Sequence, residues 1–244
     1  INVPTIAATC AAYAPLSVIY TDEGRDPEYW WFEKEVDAIV VDETIMAHQP
    51  ARYLAAGSLD AIAKFVEVHH NRGAFTPTSV PVDVYAAYHS AATTYELLNL
   101  FTEQACADVA EGKLTEAVHT VVFCNIALTG IISSMTRGRG QAALGHSFYN
   151  GLKTCFFDET HGYKHGELVG TGLLVQTAFD KNDELRNAVM SLLKKSNLPV
   201  TFAELGITDK EKGVRKLADY MENYDGIKDI PEGKERLIAA LKTL

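Results

Sequence analysis

At Asp42 the chain changes character: the residues before it read as short strands, and those after it read as helix almost to the last residue. Residues 43–47, 50–55, 58–69, 82–106, 114–132, 141–153, 167–179, 183–195, 210–220 and 234–244 are rich in Ala and Leu, with apolar side chains at helical spacing. In "GSLDAIAKFVEV" Ser58 is a candidate N-cap, and Leu59, Ile62, Phe65 and Val66 share one face. Leu198-Pro199 ahead of "TFAELGIT" reads as a helix stop and a short restart. Upstream, "LSVIYTDEG" is an apolar run ended by a turn at Gly24, and "VDAIVVD" (residues 36–42) is a short β-branched strand. The expectation is a mainly α fold, with residues 1–42 as a β entry and residues 43–244 as a helical bundle.

Bulk properties exclude several classes. At 244 residues there is ample chain for a core, and 47% apolar with 22% charged residues rules out disorder as the main state. A net charge of −10, with no basic patch interleaved with aromatics, argues against nucleic acid as a partner. Cys10, Cys106, Cys124 and Cys155 are scattered without CxxC spacing, which reads as reduced thiols in a cytoplasmic protein. No unbroken apolar run reaches the roughly 18 residues of a membrane span and no signal peptide is visible, so no membrane partner is expected. The start at Ile1, in the strand-like "INVPTIAATCAAYAPLSVIY", reads as that of a fragment or processed product. "GRGQAALG" fails the GxGxxG pattern because its third glycine falls too late, so the chain shows no phosphate cradle.

The chemistry gathers in "GHSFYNGLKTCFFDETHGYKHGE", residues 145–167, which holds His146, His161 and His165 of the chain's eight histidines. His146 falls inside a helix that Gln141 opens, and His165 stands at the entrance to the next. Imidazoles on adjacent helices can converge, and catalytic zinc takes about three ligands from protein. Asp60 fits as the third, being placed by its neighbours Leu59 and Ala61 where a free buried carboxylate would be costly. On spacing alone the ordinary readings are favoured: a carboxylate at a helix start, and hydrogen-bonded core imidazoles. Arg137 and Arg139 precede the His146 helix and read first as a solvated loop pair, second as anion attractors. His69-His70 closes a helix, while His48, His89 and His119 have no partners in the pattern.

The segments "VPTIAATCAAYAPLSVIY", "YLAAGSLDAIAKFVEV" and "GHSFYNGLKTCFFDETHGYKHGELVGTGLLVQ" resemble the glycerol dehydrogenase branch of the iron/zinc-dependent alcohol dehydrogenases. The resemblance implies the C-terminal, helical metal-binding domain of a dehydroquinate synthase-like fold. In the parent, an α/β nucleotide domain would precede it, and residues 1–42 would belong to that domain's sheet. It also implies Asp60, His146 and His165 as ligands of one divalent ion, with His161 second in line. Iron-type relatives carry a further His four residues after the Asp, and Lys64 stands there instead, which favours zinc. Other departures are Leu59 where the family has glycine before its Asp, and Tyr149 where it has a second His.

Cofactor contacts carried over by the resemblance are Thr5, Leu16 and Tyr20, with Thr9 and Ser17 weaker, toward NAD or NADP. Cys10 occupies the place of a polyol-touching Asp, and the surrounding run is similar to a sister group, the hydroxycarboxylate dehydrogenases. Lys64, one helical turn after Asp60, would reach an anion near the metal, although a solvated Lys or a partner for Glu67 is an equal reading. The expected activity is hydride transfer between NAD(P) and a small alcohol, leaning to a 2-hydroxy acid/2-oxo acid pair, in a homo-oligomer. The alternatives are a glycerol dehydrogenase, a lyase like the dehydroquinate synthases, and a non-catalytic metal-stabilised helical module. Without the family's "GGG-x-x-x-D" loop, the chain alone is expected to hold metal but to bind cofactor poorly.

Overall fold

In a computed structural model, residues 1–22, 28–70, 76–137, 139 and 143–244 are described. The turn expected at Gly24 and the helix start expected at Gln141 lie outside them. The apolar entry pairs as a hairpin: β1 (Leu16–Ile19) runs antiparallel to β2 (Glu28–Trp31), from Leu16 opposite Trp31 to Ile19 opposite Glu28. Residues 36–42 do not form the expected strand. They make one isolated parallel bridge, Ile39 with Asn2, because a strand needs a partner along its length and Asn2 is the pairing found among the described residues.

From residue 43 onward the described residues are mainly helical. α1 (Glu43–Met46), α2 (Ala51–Val68) and α3 (Val82–Ala110) are followed by α4 (Glu116–Phe123), which passes through a π-helical turn (Cys124–Leu128) into α5 (Thr129–Thr136). α6 (Leu144–Cys155), α7 (Phe157–Thr160), α8 (His165–Phe179), α9 (Asp183–Lys195), α10 (Lys210–Met221), α11 (Asp225–Lys228) and α12 (Gly233–Leu241) complete the chain. Side-chain caps start several of them: Thr115 accepts from Val118 N, Asn182 from Leu185 N at 3.0 Å, and Asp209 from Lys212 N at 2.9 Å. The expected restart after Pro199 is a set of turns rather than a helix, with Glu204 Oε2 taking the Val200 and Thr201 amides.

α8 is the centre. Thirteen of its residues are buried, Glu167 and Gln176 among them, which marks a helix enclosed by others on all sides. α2 and α6 pack along it, and α9 and α12 close its far side. Where α2 meets α8, a Cβ on residue 166 would fall 1.8 Å from Ala56 O, so Gly166 lets the two backbones touch.

The Glu116–Thr136 stretch is 21 residues long with mean hydropathy 1.6, enough to cross a membrane by length and composition, and 56% of its apolar window is buried in the fold. Reading unbroken apolar runs missed it because His119, Asn125, Thr129 and Ser133 interrupt the sequence. Core helices meet the same criterion, and this one packs on α3.

The expected boundary at Gly57-Ser58 is absent. Ser58 lies inside α2 and its Oγ donates to Leu54 O at 3.2 Å, so it is not an N-cap. Gly57 is there for space: a Cβ would come 2.0 Å from Ala7 O and 2.6 Å from Asn125 Nδ2. Asp60 therefore sits in mid-helix, beyond the help of an N-terminal dipole.

Candidate metal centre

Three helices deliver one donor each. Asp60 projects from the middle of α2, His146 from the first turn of α6, and His165 from the first residue of α8. His165 is fixed by the start of its own helix. Glu167 Oε2 takes the Lys164 amide at 2.8 Å and Arg52 Nη2 at 2.7 Å, which secures the chain as it enters α8. Asp60 Oδ1 lies 3.6 Å from His146 Nε2 and 3.3 Å from His165 Nε2, and donor atoms of the three residues lie within 4.8 Å of one another.

Asp60 Oδ1 is buried and makes no hydrogen bond among the described residues. A buried carboxylate oxygen without such a partner is costly, and an ion shared with two imidazoles would satisfy it. One carboxylate and two imidazoles are also donors that zinc accepts. The residues present fit a divalent metal.

Charge is concentrated here. Burial alone would raise the Asp60 carboxyl, but His165, His146 and Lys64 hold it well below the usual carboxylate range. Burial likewise opposes a charged His146, yet Glu67 and Asp60 outweigh it and lift the imidazole to about 9. Glu67, two turns after Asp60 on α2, accepts from His146 Nδ1 at 2.5 Å rather than pairing with Lys64. Sequence reading names this residue only as a candidate partner of Lys64 and misses its contact with His146.

The cluster forms one wall of a cavity of about 770 Å³. Leu16, Tyr20, Cys10 and Lys64 also line it. Thr5 does not: it faces a separate cleft with Thr44 and His48. Tyr149 Oη lies 3.0 Å from Tyr20 Oη, and its ring meets His165 edge-on at 4.4 Å. Burial and the Tyr20 hydrogen bond push the Tyr149 hydroxyl up, so it keeps its proton. Cys10 Sγ is 3.9 Å from Ser133 Oγ, and burial raises its thiol. His161 stands apart, exposed and bonded to Asp158 O at 2.8 Å. Arg139 pairs with Asp83, whereas Arg137 lines the cavity while donating to Phe32 O and Glu33 O.

No family model matches the chain. Among curated proteins it is 34% identical over 207 residues to a glycerol dehydrogenase from Thermotoga maritima, covering 84% of this chain and 55% of that one. It is 33% identical over 207 residues to hydroxycarboxylate dehydrogenase A from Escherichia coli, covering 85% of this chain and 56% of the relative. The chain thus spans about half the length of the curated relatives it matches. A probable glycerol dehydrogenase from Sinorhizobium meliloti superimposes on 99% of this chain and 68% of its own, with a TM-score of 0.82 at 26% identity. With its fold shared at that level and a third of its residues shared with several curated relatives, the chain is similar to glycerol dehydrogenases and hydroxycarboxylate dehydrogenase A over about half of their length.

Proposed function

We propose that this chain is the metal-binding part of an oxidoreductase that moves hydride between NAD(P) and a small alcohol, with a 2-hydroxy acid/2-oxo acid pair preferred. The observation that supports it most is the convergence of Asp60, His146 and His165 beside an unbonded, buried Asp60 oxygen. These three residues would hold zinc, three being the number of protein ligands that catalytic zinc sites keep. The ion, when bound, supplies Lewis acidity to an alcohol oxygen. Lys64 would bind and orient a substrate carboxylate at the cavity wall, and Cys10 adds no negative charge against it. Tyr149 Oη, held neutral and hydrogen-bonded to Tyr20, would keep a proton close to His165. Leu16 and Tyr20 would meet the cofactor across the same cavity, whereas Thr5 would have to reach it from the separate cleft beside Thr44 and His48. The hydride chemistry belongs to the nicotinamide, which a nucleotide domain elsewhere in a longer polypeptide would carry.

A second reading, oxidation of glycerol, is favoured by the names of several curated relatives. Both readings require the metal. We expect one equivalent of zinc per 244-residue chain, lost in Asp60→Ala. We also expect NADH-linked turnover by a longer protein carrying the nucleotide domain, abolished by chelation and restored by zinc. Turnover that survived exhaustive chelation would overturn the proposal. Stoichiometric zinc without turnover in the longer protein would favour a non-catalytic metal-stabilised module.

A further inference from the structure

The Glu67 carboxylate belongs neither to the donor set nor to the cavity wall, yet its side chain is wholly buried. Its Oε1 accepts the backbone amides of Ala143 at 3.0 Å and His146 at 2.8 Å, and its Oε2 faces His146 Nδ1 at 2.5 Å. Within ion-pair distance among the described residues, its partner is His146.

α6 needs this help. Ala143 at its N-cap offers no side-chain oxygen, so the first amides of the helix turn to neighbouring helices. α2 supplies Glu67. α8 supplies Gln176, whose Oε1 accepts Leu144 N at 3.0 Å while its Nε2 donates to Val66 O at 2.8 Å. Room for the carboxylate comes from Gly145, where a Cβ would fall 3.0 Å from Glu67 Oε1 and 2.8 Å from Leu173 Cδ2. The two helices that contribute Asp60 and His165 therefore also grip the start of the helix that contributes His146.

We infer that Glu67 is a positioning residue for the metal: its carboxylate takes the Nδ1 hydrogen of His146 and leaves Nε2 as the free donor facing Asp60. A carboxylate only accepts, and the imidazole that binds a metal has given up one proton and carries a single N–H, so in that state this contact fixes the tautomer as well as the ring orientation. Gln176 holds the same helix but does not touch the imidazole, which makes it the natural control. The inference rests on the reading of Asp60, His146 and His165 as metal ligands.

Glu67→Gln separates tautomer control from packing. The amide keeps an oxygen for the two backbone N–H groups but can turn its NH₂ toward Nδ1, which shifts the imidazole proton to Nε2. The expected result is a loss of zinc affinity by roughly 10–100-fold, read by competition with a chromophoric chelator on the 244-residue chain. The visible spectrum of the cobalt-substituted protein should change with it, while the thermal midpoint of the metal-free protein stays near that of the wild type. Gln176→Leu should show the reverse, a lowered midpoint with zinc affinity close to wild type. If Glu67→Gln fails to fold, nitrogen chemical shifts of His146 in the zinc-loaded wild type still decide, since coordination through Nδ1 would overturn the inference. Zinc binding by Glu67→Gln as tight as that of the wild type would overturn it too. A wild type that takes up no zinc removes the metal reading itself, and the role of Glu67 with it.

Discussion

Lys64 is the residue at which charge would select the substrate. Burial opposes its ammonium, yet Asp60, Cys10 and Glu67 together raise its pKa, so it stays cationic through the neutral range. It lines the cavity half-buried, and no hydrogen bond or ion pair to it is found among the described residues. A substrate carboxylate would give it a partner in a site where a hydrogen bond to a charged group contributes about 1.5–3 kcal/mol. Lys64→Ala is accordingly expected to lower kcat/KM for a 2-oxo acid by about 10–100-fold and to change that for glycerol by less than about twofold. An unaltered ratio between the two substrates would remove the preference for 2-oxo acids. Helical spacing places Lys64 one turn after Asp60, and that much of the site is legible in the sequence. The partner of Glu67 is not. Three residues after Lys64 it reads as half of a surface pair, and its turn toward His146, 79 residues away, leaves no periodic trace. His161 misleads in the opposite sense, since its spacing from His165 suits a ligand while its ring bonds a local carbonyl.

For whole elements, local pattern is a good guide wherever a helix owes its existence to its own apolar stripe, and a poor one wherever tertiary contacts decide. α9 begins and ends where its periodicity does, because Asn182 caps it and Leu185, Val189, Leu192 and Leu193 line one buried face. α2 reads as broken at Gly57-Ser58 because such pairs usually interrupt helices, but here the glycine admits the Ala7 carbonyl and the Asn125 amide into the helix surface. Asn125 belongs to the π-helical turn, and its Nδ2 also donates to Leu54 O, so two irregular features lock together around one missing side chain. In an exposed helix interior Gly→Ala gains roughly 1 kcal/mol. At Gly57 the sign should invert. A methyl group 2.0 Å from a backbone oxygen must displace the Ala7 segment, and overpacking of this kind costs about 1–3 kcal/mol. Urea denaturation of Gly57→Ala should show the midpoint shifted to lower concentration with an unchanged slope, and a shift to higher concentration would contradict the packing argument.

Across the whole molecule, the metal centre and the core are the same construction. Leu59 and Ile62 of α2, Phe148 and Leu152 of α6, and Leu168 and Leu173 of α8 are all fully buried around the helices that present the three donors. The unfolded chain has no such convergence, since Asp60, His146 and His165 are then separated by long stretches of flexible backbone. An ion bound by the native state alone must therefore add to its stability, by about 2.7 kcal/mol when free zinc is 100 times the dissociation constant. For a chain of this length each kcal/mol moves the thermal midpoint by about 2–4 °C, so zinc at that excess should raise it by roughly 5–10 °C. Asp60→Ala should lose the increment, because two imidazoles without the buried carboxylate leave the ion short of a ligand. His161→Ala should keep it, its ring being exposed and turned to Asp158. Differential scanning calorimetry across a zinc titration distinguishes the cases. A midpoint that rises equally in the wild type and Asp60→Ala would mean that zinc acts elsewhere on the surface, and the three helices would then be held by their apolar contacts and the Glu67 and Gln176 hydrogen bonds without an ion.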